Sequence, residues 1–113
     1  MTPDPSDFAE LREHFDKAHS VREKIGSKNG YPDYPEEIRA LMKYLSFSPW
    51  CDRGYQPSQT NSILARIDSA TLDEVRSVLT AILRSERFCD GAWKRIMTDG
   101  TLQTVVTRAG QLV

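Results

Sequence analysis

The sequence predicts an all-α fold, a compact single-domain bundle of about five helices with one long aromatic loop. Apolar residues recur at steps of three and four along most of the 113-residue chain, which is the spacing of amphipathic helices. Capping residues and glycines stand near the ends of these stretches. The length suits one domain with a modest core, and no internal repeat divides it. We therefore treat residues 1–113 as a single helical domain.

Composition limits the class of protein. The formal net charge is −1, so no broad basic surface is expected to hold extended nucleic acid. Two cysteines are too few for the disulfide framework of a small secreted domain. No apolar run is long enough to span a membrane, and the first residues, MTPDPSD, do not resemble a signal peptide. These features predict a cytoplasmic protein without a membrane partner.

Two helices joined by a loop are predicted at the N-terminal end. The first helix runs from Ser6, its N-cap, to Ile25. Residues 26–35 (GSKNGYPDYP) are expected to form a loop, because they combine an Asn-Gly pair with two prolines. Pro35 opens the second helix, which is predicted to end near Ser46.

Residues 47–58 (FSPWCDRGYQPS) form the long aromatic loop. Two prolines and a glycine in this stretch oppose a regular helix. The loop places aromatic rings beside a carboxylate and a guanidinium, in the residues Trp50, Asp52, Arg53 and Tyr55. This combination suits a ligand-recognition loop, and it equally suits a long loop that anchors itself to the core. Both interpretations stay open.

The C-terminal half is predicted to be helical. After a short helix over residues 59–67, a capping box formed by Thr71 and Glu74 starts the central and most buried helix. A further helix is predicted to begin with Asp90 as its cap.

Thr101 is predicted to cap the last helix, and Gly110 to close it. Its valines and threonines are β-branched, so a terminal strand is the alternative. The apolar spacing favours the helix.

A helix-to-helix corner at residues 79–93 (LTAILRSERFCDGAW) concentrates charge. Arg84 and Arg87 stand at the C-terminal end of a helix, where free carbonyls favour cations. In the structural interpretation, these arginines pair with nearby carboxylates and fix the angle between the helices. Glu86 and Asp90 then belong to a structural polar corner.

In the functional interpretation, the same arginines surround a pocket. A guanidinium binds phosphate through two hydrogen bonds and an aromatic ring stacks on a base, so the pair suits a planar anionic ligand. Arg95 could add a cation, and Phe88 a ring. The candidate ligand-binding residues are Arg84, Arg87, Trp93, Lys94, Trp50, Asp52, Arg53 and Tyr55.

Four segments carry a resemblance to a known family. They are YPEEIRALMKYL, the Asp52-Arg53-Gly54-Tyr55 loop, and LTAILRSERFCDGAW with the later DGTLQTVVTRAGQL. Over about residues 34–112 the chain resembles a family of short bacterial and phage helical domains of unknown function, and residues 1–30 add an N-terminal helix and loop. The resemblance implies an all-helical domain and assigns no activity, so no catalytic residue follows from it.

No catalytic motif is visible. The chain lacks a phosphate-cradling glycine loop, a Cys-x-x-Cys pair and a Gly-x-Ser-x-Gly elbow. Cys89 with His14 or His19 could act as a thiol and a base, but a cysteine beside Phe88 is more typical of a small buried apolar residue. The two histidines point away from each other on a helix, so we expect no metal site. We expect neither a cofactor nor an enzyme activity.

The leading hypothesis is therefore a non-catalytic binding protein. It captures a small anionic ligand, of nucleotide type, between the aromatic loop and the corner, and the sequestration of a signalling molecule is one use of such a site. One alternative is a protein–protein interaction module that uses exposed aromatic residues. The other is an enzyme with an unfamiliar site. Assembly as a homodimer is the usual expectation for a small domain.

Overall fold

The computed structural model describes residues 2–113 and confirms the all-α class. Within these residues the chain forms six α-helices, three short 3-10 turns and one two-stranded sheet. The helices are α1 (Pro5–Ser20), α2 (Glu36–Ser46), α3 (Thr60–Ala65), α4 (Leu72–Ser85), α5 (Ala92–Thr98) and α6 (Thr101–Leu112). The strands are β1 (Gly26–Lys28) and β2 (Tyr31–Asp33), and the 3-10 turns are Arg22–Lys24, Pro57–Gln59 and Ile67–Ser69.

The first helix starts and ends earlier than predicted. Asp4, and not Ser6, is its N-cap: the Asp4 carboxylate accepts a hydrogen bond from the Asp7 N–H at 2.9 Å, and the Asp7 carboxylate accepts one from the Asp4 N–H at 2.9 Å. Pro5 occupies the first helical position, where a missing N–H has no cost. The helix ends at Ser20, and the predicted extension to residue 25 contains a 3-10 turn at Arg22–Lys24.

The predicted loop at residues 26–35 contains a β-hairpin. Strands β1 and β2 pair antiparallel, with Ser27 opposite Pro32. Asn29 and Gly30 both have positive φ, 54° and 82°, as a two-residue hairpin turn requires. Both strands are short and mostly exposed. Because neither strand has a buried face, the sequence does not show the alternation of apolar and polar residues that indicates a strand. The Asn-Gly pair was the only signal of the hairpin.

Helix α4 is the centre of the core, as predicted. It contacts α2, α3, α5 and α6, and its Val75, Val78 and Leu79 are buried. The predicted capping box is confirmed: the Thr71 hydroxyl accepts from the Glu74 N–H at 3.2 Å, and the Glu74 carboxylate accepts from the Thr71 N–H at 2.9 Å. The capping box therefore fixes where the central helix starts.

The last two helices differ from the prediction at their ends. Gly91 and Gly100, with φ of 89° and 86°, stand at the N-cap positions of α5 and α6. The predictions that Asp90 caps α5 and that Thr101 caps α6 are therefore wrong. The alternative of a terminal strand is wrong as well, because residues 101–112 form a helix. Gly110 lies inside α6 and does not close it. A glycine is required there because the Phe8 ring of α1 packs against it: a Cβ atom at this position would lie 2.5 Å from Phe8 Cζ.

No helix within residues 2–113 combines the length and the apolar character needed to cross a lipid bilayer.

Candidate functional site

A cavity of about 410 Å³, called the basic cavity from here on, lies where α2 and α4 end. One wall is α2, the other is α4 with the residues just after it, and the aromatic loop supplies the rest. The cavity is lined by Met42, Lys43, Ser46, Cys51, Arg53, Leu83, Arg84 and Arg87. No carboxylate is among these residues, so all charge on the lining is positive.

The positive charges of the basic cavity have no acidic partner in the described chain. Across residues 2–113, ion pairs within 4.0 Å form elsewhere, for example Arg12 with Asp16 and Arg66 with Glu74. The four cationic side chains of the cavity take part in none of them. The C-terminal ends of α2 and α4 each carry roughly −0.5 charge, which offsets about one of the four positive charges. Most of the positive charge on the cavity lining is therefore not compensated by the helix ends.

Arg84 is held in place by an aromatic ring and not by an acid. Its guanidinium carbon lies 5.0 Å from the centre of the Tyr55 ring, in a cation–π contact. The Arg84 side chain donates no hydrogen bond within the described chain, so the contact with the ring leaves its N–H groups without an acceptor. Arg84 is therefore oriented and still has its hydrogen-bond donors available for an anion.

The aromatic loop is anchored on α4 by hydroxyl groups. The Asp52 N–H donates to Thr80 Oγ1 at 2.8 Å, and the Gln56 N–H donates to Ser77 Oγ at 3.0 Å. Both hydroxyl residues are buried, which explains two polar positions on an otherwise apolar face of α4. The Asp52 carboxylate accepts from the Gly54 N–H at 2.9 Å and so shapes the loop.

The same loop also fastens α1 and α4 together. The Trp50 ring is fully buried, and its indole N–H donates to the Asp7 carbonyl at 3.3 Å. Arg76 of α4 donates to the carbonyls of Pro49 at 2.8 Å and of Cys51 at 3.3 Å. Anchoring thus accounts for Trp50 and Asp52, whereas Arg53 of the same loop lines the basic cavity.

The polar corner after α4 is organised by Glu86. Its carboxylate accepts from the N–H groups of Gly91 at 2.7 Å and Trp93 at 2.9 Å, and from the Tyr34 hydroxyl at 2.8 Å. The Lys94 N–H donates to the same Tyr34 oxygen at 3.3 Å. Burial raises the pKa of Tyr34, and the hydrogen bond to Glu86 raises it further. Glu86 therefore binds the start of α5 and the residue after the hairpin, and it forms no ion pair within 4.0 Å with Arg84 or Arg87.

The structure brings together some of the predicted site residues and separates others. Arg53, Arg84 and Arg87 meet in the basic cavity, and Tyr55 joins them through Arg84. Trp50 and Trp93 have no exposed surface, so neither ring can contact a ligand and we leave both out of the site.

Other predicted residues lie apart from the basic cavity. Lys94 is exposed on α5 and does not line the basic cavity. Arg95 lines a different cavity, together with Asp99. Asp90 is exposed and does not cap α5, so of the predicted polar corner only Glu86 is part of the structure's hydrogen-bond network there.

Sequence reasoning missed the contribution of α2. Lys43 and Ser46 line the basic cavity although they precede Arg84 by about forty positions in the sequence. The only sequence signal was a lysine in the last turn of a helix, which is common for other reasons. Cys51 is half-buried and also lines the basic cavity. Cys89 is exposed, so the prediction that it is a buried residue is wrong.

A larger cavity of about 690 Å³ lies between α1 and α2 and shares Lys43 with the basic cavity. The rings of His14 and Tyr44 stack in its wall with centres 4.6 Å apart. Burial raises the pKa of Tyr44 to about 12. Acidic and basic side chains both line this cavity, so its charge favours no single kind of ion. Across residues 2–113, no group of three or more His, Cys, Asp or Glu side chains is arranged to hold a metal ion.

The fold and the site define a small helical domain with a cation-lined cavity. The chain belongs to the family of unknown function DUF6508, whose model matches residues 27–113. The matched region confirms the resemblance of residues 34–112 to a domain family of unknown function, extends it to residue 27 within the hairpin, and contains every residue that lines the basic cavity. No curated protein and no solved structure matches this chain.

Proposed function

We propose that this protein binds a small anionic ligand in the basic cavity and is not an enzyme. The observation that carries the proposal is the set of four cations without acidic partners, Lys43, Arg53, Arg84 and Arg87. Like charges held close together repel one another, and an anion in the cavity would remove that repulsion. The chain as a whole has a net charge of −1, so this local excess of positive charge is not a property of the general surface.

The chemistry of the lining favours a phosphate-bearing ligand. Arginine matches the geometry of phosphate oxygens with two parallel N–H groups, and the cavity has three arginines. Met42 and Leu83 supply an apolar surface for the rest of the ligand. The volume of about 410 Å³ lies within the usual range for small-molecule sites. We therefore propose a nucleotide-type ligand, with sequestration of a signalling nucleotide in the cytoplasm as the use of the site.

Calorimetric titration and thermal shift test this proposal. The probes are inorganic phosphate, pyrophosphate, and a panel of linear and cyclic nucleotides. We expect at least one to bind, and a ligand at 100 times its dissociation constant stabilises the fold by about 2.7 kcal/mol. The double variant Arg84→Gln/Arg87→Gln should lose this binding.

Arg95→Gln is the matched control, because Arg95 is an exposed arginine outside the basic cavity. It should bind as the wild type does. No heat and no thermal shift with any member of the panel would contradict the proposal. Equal binding by the wild type and the double variant would contradict it as well.

A protein-interaction module is the second candidate function. Three large aromatic side chains favour it by their exposure: Tyr31 at 62%, Phe47 at 85% and Phe88 at 84%. A stoichiometric protein partner that binds Arg87→Ala but not Phe47→Ala would support this candidate over anion capture. Light scattering on the purified chain tests the expected homodimer.

A further inference from the structure

The two most exposed phenylalanines of the described chain stand beside the basic cavity. Phe47 is 85% exposed and Phe88 is 84% exposed. Phe47 directly follows Ser46, and Phe88 directly follows Arg87, which are both lining residues of the cavity. Because consecutive Cα atoms are about 3.8 Å apart, each phenylalanine starts next to the cavity wall.

The two phenylalanines belong to opposite walls. Phe47 comes immediately after α2, and Phe88 comes three residues after the end of α4. The basic cavity lies between the ends of these two helices. On each wall, an exposed phenylalanine therefore directly follows a residue that lines the cavity.

The surroundings of Phe47 offer room for a flat group. Phe47 lines the larger cavity between α1 and α2, and it also lines a third cavity of about 410 Å³. This third cavity shares Cys51 and Arg53 with the basic cavity, so the two adjoin. A ligand held by the cations can thus extend toward the Phe47 ring.

We infer that the ligand of the basic cavity is a short single-stranded oligonucleotide, with a dinucleotide as the smallest complete ligand. Its phosphates lie among the four cations, one base stacks on Phe47 and the next stacks on Phe88. Proteins that bind single strands combine a positively charged groove for the backbone with aromatic rings for the bases. The inference rests on the proposed function and narrows its ligand class.

The extent of the charge limits the length of the ligand. Four cations without acidic partners share one cavity of about 410 Å³, whereas the net charge of the chain is −1. A long strand would leave this region and run over a surface that does not attract phosphate. The site therefore suits two or a few nucleotides and not a polymer.

Calorimetric titration with three probes tests the inference. Pyrophosphate reports the cations alone, adenosine monophosphate adds one base, and a linear diadenylate adds two. We expect the dinucleotide to bind about 5- to 150-fold more tightly than the mononucleotide, which is the usual gain from stacking one further base.

Phe47→Ala and Phe88→Ala should each weaken dinucleotide binding by about the same factor, 5- to 150-fold, and leave pyrophosphate binding unchanged. Tyr31→Ala is the matched control, because Tyr31 is 62% exposed and lies in β2, outside the basic cavity. It should change neither affinity. Both phenylalanines are exposed, so the variants should fold normally, and far-UV circular dichroism checks that they do.

The outcomes separate this inference from the proposed function. If pyrophosphate binds but the dinucleotide binds no more tightly than the mononucleotide, the inference is overturned and the anion site stands. Unchanged dinucleotide binding by both phenylalanine variants overturns it too. If no probe binds, the proposed function fails and the inference with it. Binding to anionic vesicles that needs both phenylalanines, without dinucleotide binding, overturns the inference in favour of a lipid surface.

Discussion

At the scale of single residues, one carboxylate determines the corner after α4. Glu86 accepts hydrogen bonds from two N–H groups at the start of α5 and from the Tyr34 hydroxyl at the end of the hairpin. It therefore performs the capping role that the sequence had suggested for Asp90. The sequence contains both acids, but only the fold shows which of them the chain turns toward the free N–H groups.

We expect Glu86→Ala to lower the free energy of unfolding by about 2 kcal/mol, because it removes a cap and leaves a partly buried tyrosine hydroxyl without its acceptor. Urea denaturation followed by far-UV circular dichroism measures this difference. Asp90→Ala is the control and should stay within about 0.5 kcal/mol of the wild type, since Asp90 is exposed. An equal loss in both variants would show that Glu86 is not the cap.

At the scale of elements, the start of α4 depends on the Glu74 carboxylate, which accepts hydrogen bonds from two different residues. The Arg66 guanidinium donates to Glu74 at 3.0 Å, and the Thr71 N–H donates to the same carboxylate. The Arg66 hydrogen bond, followed by the Thr71 N–H, lowers the pKa of Glu74 from 4.5 to about 2. A group whose pKa is lower in the folded state stabilises the fold above its unfolded-state pKa.

The contribution of Glu74 should therefore be complete above about pH 4.5 and should be lost as the pH falls toward about 2. We expect the difference in melting temperature between the wild type and Glu74→Gln to be largest near neutral pH and to shrink in acid. Thermal melts at several pH values measure it. Asp73→Asn is the control from the same helical turn, because its nearest cation, Arg76, lies 3.9 Å away. A difference that stays constant across the pH range would refute the expectation.

The elements differ in how well the sequence predicts them. Helix α4 was predictable because both of its signals are local in sequence: the residues of its capping box are three apart, and its apolar residues recur every three or four positions. The hairpin was not, since its strands have three residues each and carry no buried face. The position of Gly110 within α6 depends on the Phe8 ring from the other end of the chain, and no local pattern indicates such a contact.

At the scale of the whole molecule, the basic cavity places like charges together in a chain that is nearly neutral overall. Their repulsion should make the empty protein less stable at low ionic strength. We expect Lys43→Gln/Arg87→Gln to raise the free energy of unfolding there by about 0.5 kcal/mol, and added salt to reduce the gain.

Urea denaturation at low and at physiological ionic strength measures this gain. Lys94→Gln removes a positive charge from an exposed residue outside the basic cavity and is the control. It should change stability little at either ionic strength. A double variant less stable than the wild type at low salt would contradict the expected repulsion.

The candidate site was predictable only in part. The sequence placed Arg53, Arg84 and Arg87 in the candidate site from their position near aromatic residues, and the structure does bring them to one cavity. It could not supply Lys43, because only tertiary packing brings α2 beside the end of α4. Tryptophan occurs in cores and in binding sites alike, so composition alone could not place Trp50 and Trp93 in the core.

The burial of both indole rings has a practical consequence for spectroscopy. Trp50 and Trp93 are the only two tryptophans of the chain, and neither has surface exposed to solvent. Their emission therefore reports the apolar interior, and it should shift to longer wavelength when the chain unfolds and water reaches the rings. A molecule that enters the cavity between α2 and α4 meets no indole, so intrinsic fluorescence is a probe of folding and not of occupancy.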